Sequence, residues 1–324
     1  MMTISKEFTP SHIVLSGGVG GAKLVQGLTA CLDAEQLMII GNIGDDFEHW
    51  GFHISPDLDT LLYTLSGVSN QALGWGREGD TWAVLEEVSR LGGDAWFQLG
   101  DRDLAVHIER SSRLRRGESL SAITMSFCRG FGLEYNILPP SDDCVRTVVT
   151  TKVGDLDFQE YFVRHKCEPV VVGISYDGGE KARLLPFIES ALHNPSLRAV
   201  IISPSNPFLS VAPILAISNF RELLTNCDAP RIVISPMIGA KAFKGPTAKI
   251  MGELGYEMSS FAVAAYYSSN LIDGIVIDVT DSVLAPRIGA LGIKTFMTDI
   301  SMNSLKDKKR LAKQAIQFSE SLLE

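Results

Sequence analysis

The sequence has no pair of cysteines at C-x-x-C spacing; its five cysteines, Cys31, Cys128, Cys144, Cys167 and Cys227, are scattered and odd in number. That leaves no zinc ribbon and no disulfide framework, and five idle thiols are the expectation. No stretch reaches the roughly 18 uncharged apolar residues that a membrane span needs. The opening MMTISKEFTPSH has no apolar segment of the kind a secretory leader carries. A cytoplasmic protein with no membrane partner is expected. Lys and Arg number 29 against 38 Asp and Glu, a net charge of −9. This argues against a nucleic-acid partner, whose surface requires clustered cations. A single anionic metabolite stays compatible, because local charge can oppose the global sign.

The most informative gap is local. Between Lys23 and Arg77 there is no Lys or Arg, yet Asp33, Glu35, Asp45, Asp46, Glu48, Asp57 and Asp59 all fall there. If those carboxylates are even partly buried, something must balance them.

As a whole the chain is ordinary for a compact α/β protein, with 45% hydrophobic and 21% charged residues. His12 to Ser16 and Leu37 to Gly41 are short apolar runs that end at glycines, as buried parallel strands do, and a helix is expected between them from about Gly20 to Leu32. Val170 to Ile174, Ala199 to Ile202, Ile232 to Ser235, Gly274 to Ile277 and Ile293 to Met297 repeat the strand signature. The alternation predicts a mainly parallel sheet with helices on both faces. From about 59 to 132 the pattern is mostly helical, over Thr60 to Ser66, Asp80 to Leu91 and Ser119 to Arg129. This reads as an inserted helical region above the strand ends, where open α/β sheets bind ligands. No low-complexity linker interrupts the chain, so one integrated domain over 1–324 with a flexible lead-in over 1–11 is expected.

Ser16-Gly17-Gly18-Val19-Gly20-Gly21-Ala22-Lys23 joins the first strand to the first helix. Glycines there let backbone N–H groups approach a phosphate at a helix N-terminus, and Lys23 adds a charge. The pattern matches neither familiar nucleotide motif. A dinucleotide fingerprint would put glycine at position 23, and a P-loop would follow Lys23 with Ser or Thr rather than Leu24. A tight turn with no ligand is the plainer alternative.

Asn42-Ile43-Gly44-Asp45-Asp46 follows the second strand, so its carboxylates sit at the carboxyl end of the sheet beside the glycine turn. Ser55-Pro56-Asp57-Leu58-Asp59-Thr60 puts two more at the start of a helix. Mg²⁺ held by carboxylates and substrate phosphates would relieve their repulsion, and Asp45, Asp57 and Asp59 are its expected ligands. Capping and dipole compensation are the plainer roles for Asp57 and Asp59. Asp46 and Glu48 are expected to face solvent, and His49 and His53 to be packed or surface residues. Of the basic residues in Leu99 to Arg116, Arg102 is expected in the site. Arg110, Arg113, Arg115 and Arg116 are read as a solvated helix face. Gln98 offers an amide to a heterocycle edge. Ser203, Ser205 and Asn206, held between Pro204 and Pro207, suit a phosphate or nucleotide clamp. Lys241, Lys244 and Lys249 around Gly245-Pro246-Thr247 form another phosphate-compatible loop.

Taken together, SGGVGGAKL, GNIGDDFEHWGFHISPDLDTLLY, FQLGDRDLAVHIER, LPPSDD, ISPSNP and SPMIGAKAFKGPTAK resemble the CofD family, the 2-phospho-L-lactate transferases of coenzyme F-420 synthesis. The resemblance covers nearly the whole chain. It implies a Rossmann-like fold, a homodimer, and transfer of a phospho-three-carbon acid from a guanosine diphospho-linked donor to the ribityl hydroxyl of the deazaflavin Fo, with release of GMP. It implies donor contacts from Gly18, Gly20, Gly21, Lys23, Ser205 and Asn206, catalytic roles for Asp57 and Asp59, and an acceptor-side role for Arg102. Two alternatives stand beside it. A YvcK-like sugar-nucleotide-binding regulator would carry a Gly/Ser-rich stretch after the paired aspartates, where this chain has Phe47-Glu48-His49-Trp50-Gly51. A nicotinamide-dependent oxidoreductase is disfavoured by Lys23.

Overall fold

The structure, a computed structural model, describes residues 9–239, 241–242, 246–268 and 270–323. Seven strands make one parallel sheet. In chain order they are β1 (His12–Ser16), β2 (Leu37–Gly41), β5 (Ile137–Leu138), β9 (Ala199–Ile202), β10 (Arg231–Ile234), β11 (Gly274–Asp278) and β12 (Lys294–Thr298). Two hairpin strands, β3 (Phe47–His49) and β4 (Phe52–Ile54), lie between β2 and β5, and a further sheet of β6 (Arg146–Thr151), β7 (Gly154–Asp157) and β8 (Val171–Asp177) lies between β5 and β9. The order across the main sheet is β12-β11-β10-β9-β1-β2-β5, all parallel where paired. The chain thus runs outward from β1 on one side, then returns to β1's other flank at β9. Ligand crevices in open α/β sheets form beyond the carboxyl ends of the strands at such a reversal. Here it is the seam between Ser16 and Ile202.

The interior strands are buried throughout and mainly apolar because helices cover both faces: every residue of β1, β2, β9, β10 and β11 is buried, with polar residues only at strand ends (His12, Ser16, Arg231 and Asp278). Helix α1 (Gly18–Thr29) packs on α2 (Pro56–Leu65) and on the C-terminal α6 (Leu305–Glu320). Between α2 and β5 come α3 (Ala83–Arg90), α4 (Asp101–Arg115) and α5 (Leu120–Gly130). The helices expected in this stretch are all present, each starting one to four residues away from its expected place.

One strand was expected in the wrong sheet. Val170 to Ile174 reads as a buried parallel strand, but β8 pairs antiparallel with β6, and β7 pairs antiparallel with β6 on its other side. Its exposure alternates, leaving Val172 52% exposed, as in a sheet covered on one face only. The β3–β4 hairpin was also missed. Its turn residues, Trp50 and Gly51, both have positive φ (52° and 73°), the geometry for which Asn-Gly is the usual signal. Trp50 is held there by stacking on His49, with ring centroids 4.9 Å apart, and by its Nε1–H donating to Asp94 O at 2.7 Å.

Candidate active site

The glycine turn and the Ser203–Ser210 loop meet at the seam, and their fit explains the glycines. Gly17 N–H donates to Ser205 Oγ (3.2 Å), and Ser205 Oγ–H donates back to Gly17 O (2.6 Å). A Cβ on Gly20 would strike the Pro204 carbonyl oxygen, and one on Gly21 would strike the hydroxyls of Ser16, Ser203 and Ser205. Gly18 has φ +66°, which an L-residue seldom adopts. Ser203 and Ser205 therefore lock the turn, bonding each other at 2.7 Å while fully or nearly buried. Asn206 uses its Oδ1 to cap Phe208 and Leu209 N–H, and its Nδ2 is buried without a hydrogen-bond partner among the described residues. That orphan donor, with the buried Ser16 hydroxyl that likewise lacks a partner, marks polar capacity left for a ligand.

Asp57 occupies the anion position at the N-terminus of α1. Its Oδ1 accepts Gly18 N–H at 2.7 Å, at the N-terminus of α1, and its Oδ2 accepts Asn42 Nδ2 at 2.9 Å. The same Asn42 amide donates to Asp45 Oδ1 at 3.0 Å. Asn42 is fixed in turn by Gly44 N–H donating to its Oδ1 at 2.8 Å. Asp45 and Asp57 are thus a buried pair bridged by one amide. Burial, partly offset by the bonds from Asn42 and Gly18, raises the Asp57 carboxyl to about 6. Burial and the Asp57 charge push Asp45 well above the ordinary carboxylate range. Neither has an ion-pair partner among the described residues. Neither Asp57 nor Asp59 caps its own helix: Ser55 occupies the N-cap of α2, and its Oγ–H donates instead to Asp46 Oδ2 at 2.8 Å.

Asp46 was expected in solvent and is 2% exposed. Its Oδ2 also meets His53 Nε2 at 2.9 Å, while Oδ1 is buried without a partner among the described residues. Its charge adds to the repulsion felt by Asp45 and Asp57. Glu48 is exposed, as expected, and His49 is packed among Trp50, Trp96 and Phe97.

Asp59 points elsewhere. Both its oxygens are held by the guanidinium of Arg110, the second at 3.0 Å, and His107 Nδ1 lies 3.6 Å away. Behind His107, Asp103 Oδ1 stands 3.3 Å from Nε2 and accepts the Tyr63 hydroxyl at 2.6 Å. Arg110 was expected on a solvated face; it is 1% exposed. Asp103, His107 and Arg110 recur at helical spacing on one face of α4, with buried Leu104 and Ser111 beside them. Together with the missing cations of residues 24–76, that spacing was the sequence signal for this counter-charge. Burial disfavours the charge on Arg110, and Asp59 outweighs it.

The remaining candidates scatter. Arg102 and Gln98 are exposed, Arg102 on the first turn of α4. Lys23 lines a cavity between α1 and α2, one turn past the glycines. Lys249 bonds Glu253, Pro169 O and Tyr161. Lys244 and Gly245 lie outside the described residues.

The donor set suits a hard divalent cation. Among the described residues no three Asp, Glu, His or Cys side chains are grouped to share one ion, but Mg²⁺ is commonly held by one or two carboxylates plus substrate phosphates. Asp45 and Asp57, buried and without an ion-pair partner among the described residues, are two carboxylates of that kind. Asp59, already neutralised by Arg110, is the least suited of the three expected ligands.

Comparison with known proteins gives a consistent picture. Residues 13–312 match the family described as 2-phospho-L-lactate transferase CofD. The chain is 35% identical over 315 residues to a phosphoenolpyruvate transferase of Streptomyces griseus, covering 96% of this chain and 98% of that one. It is 37% identical over 305 residues to a 2-phospho-L-lactate transferase of Methanosarcina mazei, covering 94% and 99%. Among solved structures, a Bacillus halodurans protein of the UPF0052 family shares the fold, with a TM-score of 0.61 at 13% identity over 95% of this chain and 99% of that one.

Proposed function

Since this chain belongs to the CofD family of transferases, we propose that it moves a phospho-three-carbon-acid group, 2-phospholactate, phosphoenolpyruvate or 3-phosphoglycerate, to the ribityl hydroxyl of the deazaflavin Fo in coenzyme F-420 biosynthesis. The donor is guanosine diphospho-linked and the leaving group is GMP. The observation that carries this reading is the buried Asp45–Asn42–Asp57 bridge at the β1/β9 seam.

Transfer at a phosphodiester-like centre needs charge neutralisation and alignment more than a covalent nucleophile. Asp45 and Asp57 would hold Mg²⁺, which when bound supplies the positive charge that a diphosphate and a departing GMP require. The N–H groups of the first turn of α1 beyond Gly18, with Asn206 Nδ2, bind donor oxygens. Asp59 orients the acceptor hydroxyl. With both oxygens held by the Arg110 guanidinium, it is fixed in orientation. Arg102 and Gln98 reach the acceptor from the rim, and the protein works as a homodimer in the cytoplasm.

The test is to incubate the purified protein with Fo, each guanylylated donor and Mg²⁺, then identify the product by mass and follow GMP. Asp59→Asn should lose transfer while keeping its fold, at a lower unfolding midpoint because it leaves Arg110 buried without its counter-ion, and chelator should stop turnover. GMP release at the wild-type rate by the variant, or full turnover in excess chelator, would sink the reading.

A further inference from the structure

The outermost strand of a sheet has a row of backbone N–H and C=O groups with no strand beside it, a template for another chain. The main sheet ends at β5 on one side and at β12 on the other. β5 is two residues long, whereas β12 has five, Lys294-Thr295-Phe296-Met297-Thr298, with no proline among them. Lys294 N–H donates to Asp273 O at 2.9 Å, and Lys294 stands opposite Gly274 in the parallel register with β11. In a parallel ladder a residue turns both backbone groups to the same side, and the next residue turns both away. Lys294, Phe296 and Thr298 therefore bond inward to β11, while Thr295 and Met297 present their N–H and C=O outward. Among the described residues neither outward N–H makes a hydrogen bond, and the Thr295 hydroxyl is buried without a partner.

The side chains of this edge suit a second copy of it. Phe296 stacks on Phe318 of α6, ring centroids 5.5 Å apart, so Thr295 and Met297 lie on the opposite face of the sheet. Met297 is 46% exposed, and the turn Val279–Leu284 that packs beside β12 exposes Val279 and Val283. The strand is basic at its start, at Lys294, and acidic just past its end, at Asp299, whose side chain stays 56% exposed beside Arg310. An antiparallel copy brings each Lys294 toward the acidic end of the other strand. A parallel copy would set like charges side by side.

We infer that β12 is the self-association surface of this chain, pairing antiparallel with β12 of a second copy about a two-fold axis at Phe296, so that two sheets become one. The register that uses every outward group sets Thr295 opposite Met297 of the partner subunit. That pair exchanges two N–H···O bonds, and the two-fold axis repeats it, giving four. Lys294 then faces Thr298 of the partner subunit, next to the acidic end. This surface serves the homodimer proposed above and plays no part in the transfer step.

The test measures the mass of the full chain by sedimentation velocity from low to high micromolar concentration, where a monomer–dimer equilibrium is expected. Met297→Pro removes an N–H that no bond within the chain uses, so its circular dichroism should match the wild type. Its dissociation constant should rise at least ~tenfold, because two of the four bonds are gone. Thr295→Cys and Met297→Cys chains, mixed and oxidised, should give a disulfide-linked dimer, since directly opposed Cα atoms about 5.5 Å apart are within disulfide reach. Either chain alone should link no more than the wild type, its own cysteines being diagonal neighbours. The cysteine mixture carries the test should Met297→Pro unfold. A monomer at every concentration, wild-type affinity in folded Met297→Pro, or a mixture that links no better than its components would each overturn the proposal. A monomer that still transfers would overturn it and leave the reading of the reaction intact.

Discussion

Replacing Asp57 by Asn should make the metal-free protein more stable at pH 8, although it exchanges one of two hydrogen-bonded carboxylate oxygens in the interior for an amide nitrogen. An Asp whose carboxyl sits near 3.8 when unfolded is raised to about 6 in the fold. The folded state then binds more protons than the unfolded state between those values. Stability therefore falls as pH rises through that window, and the full cost persists above it. A shift of roughly two units corresponds to about 3 kcal/mol. Asn carries no charge and so escapes this cost. It keeps an acceptor for Gly18 N–H but turns an amide toward Asn42, losing one hydrogen bond worth about 1 kcal/mol. The net expectation is a gain of about 2 kcal/mol at pH 8 in chelator and no gain at pH 4. Urea unfolding at both pH values would read it. Mg²⁺ should raise the wild-type midpoint at pH 8 more than that of the variant. A variant less stable than wild type at pH 8 in chelator would refute the reasoning, because it would mean the carboxylate is not held there against repulsion and burial.

Three further outcomes follow from the same geometry. Arg110→Met leaves Asp59 buried and unpaired and should cost about 3–5 kcal/mol in thermal or urea unfolding, with part of the loss recovered in the Asp59→Asn, Arg110→Met double variant. His12, 3% exposed with Nε2 unpartnered, is lowered to about 4 by burial and by Arg198. The unfolded state then binds the extra proton between about 4 and 6.5. This contribution of about 3 kcal/mol is complete above pH 6.5 and lost as pH falls to 4, so His12→Gln should be less sensitive to that fall when urea midpoints are compared across the window. Gly21→Ala, whose methyl would meet three hydroxyls, should lose about 1–3 kcal/mol together with transfer activity, while Gly130→Ala, with open space around it, should unfold at or above the wild-type midpoint.

The parallel strands were legible because burial on both faces writes an uninterrupted apolar run, as in Leu37 to Ile40 and Ala199 to Ile202. Their order was not, since every run looks alike. β8 misled for a related reason: Val170, Val171 and Val172 read as buried, yet the sheet they belong to is covered on one side only. The site was half legible. Spacing put Asp45 and Asp57 near the glycine turn, and the amide that joins them, Asn42, stood in the same segment. What sequence could not tell was direction. Asp57 and Asp59 are two residues apart on a helix, so they face different ways, one to Gly18 and the other to Arg110. Asp46 and Arg110 were assigned to solvent by their residue type, and both are interior.

The grip of Ser205 on Gly17 spans 188 residues of chain. The first turn therefore has no partner to shape it until the ninth strand and its loop exist. At about 5–20 residues per second of synthesis, roughly 10–40 s separate the two. During that time a growing chain holds its glycine segment without the hydroxyls that will fix it, and the seam closes only once the second half of the sheet has been made.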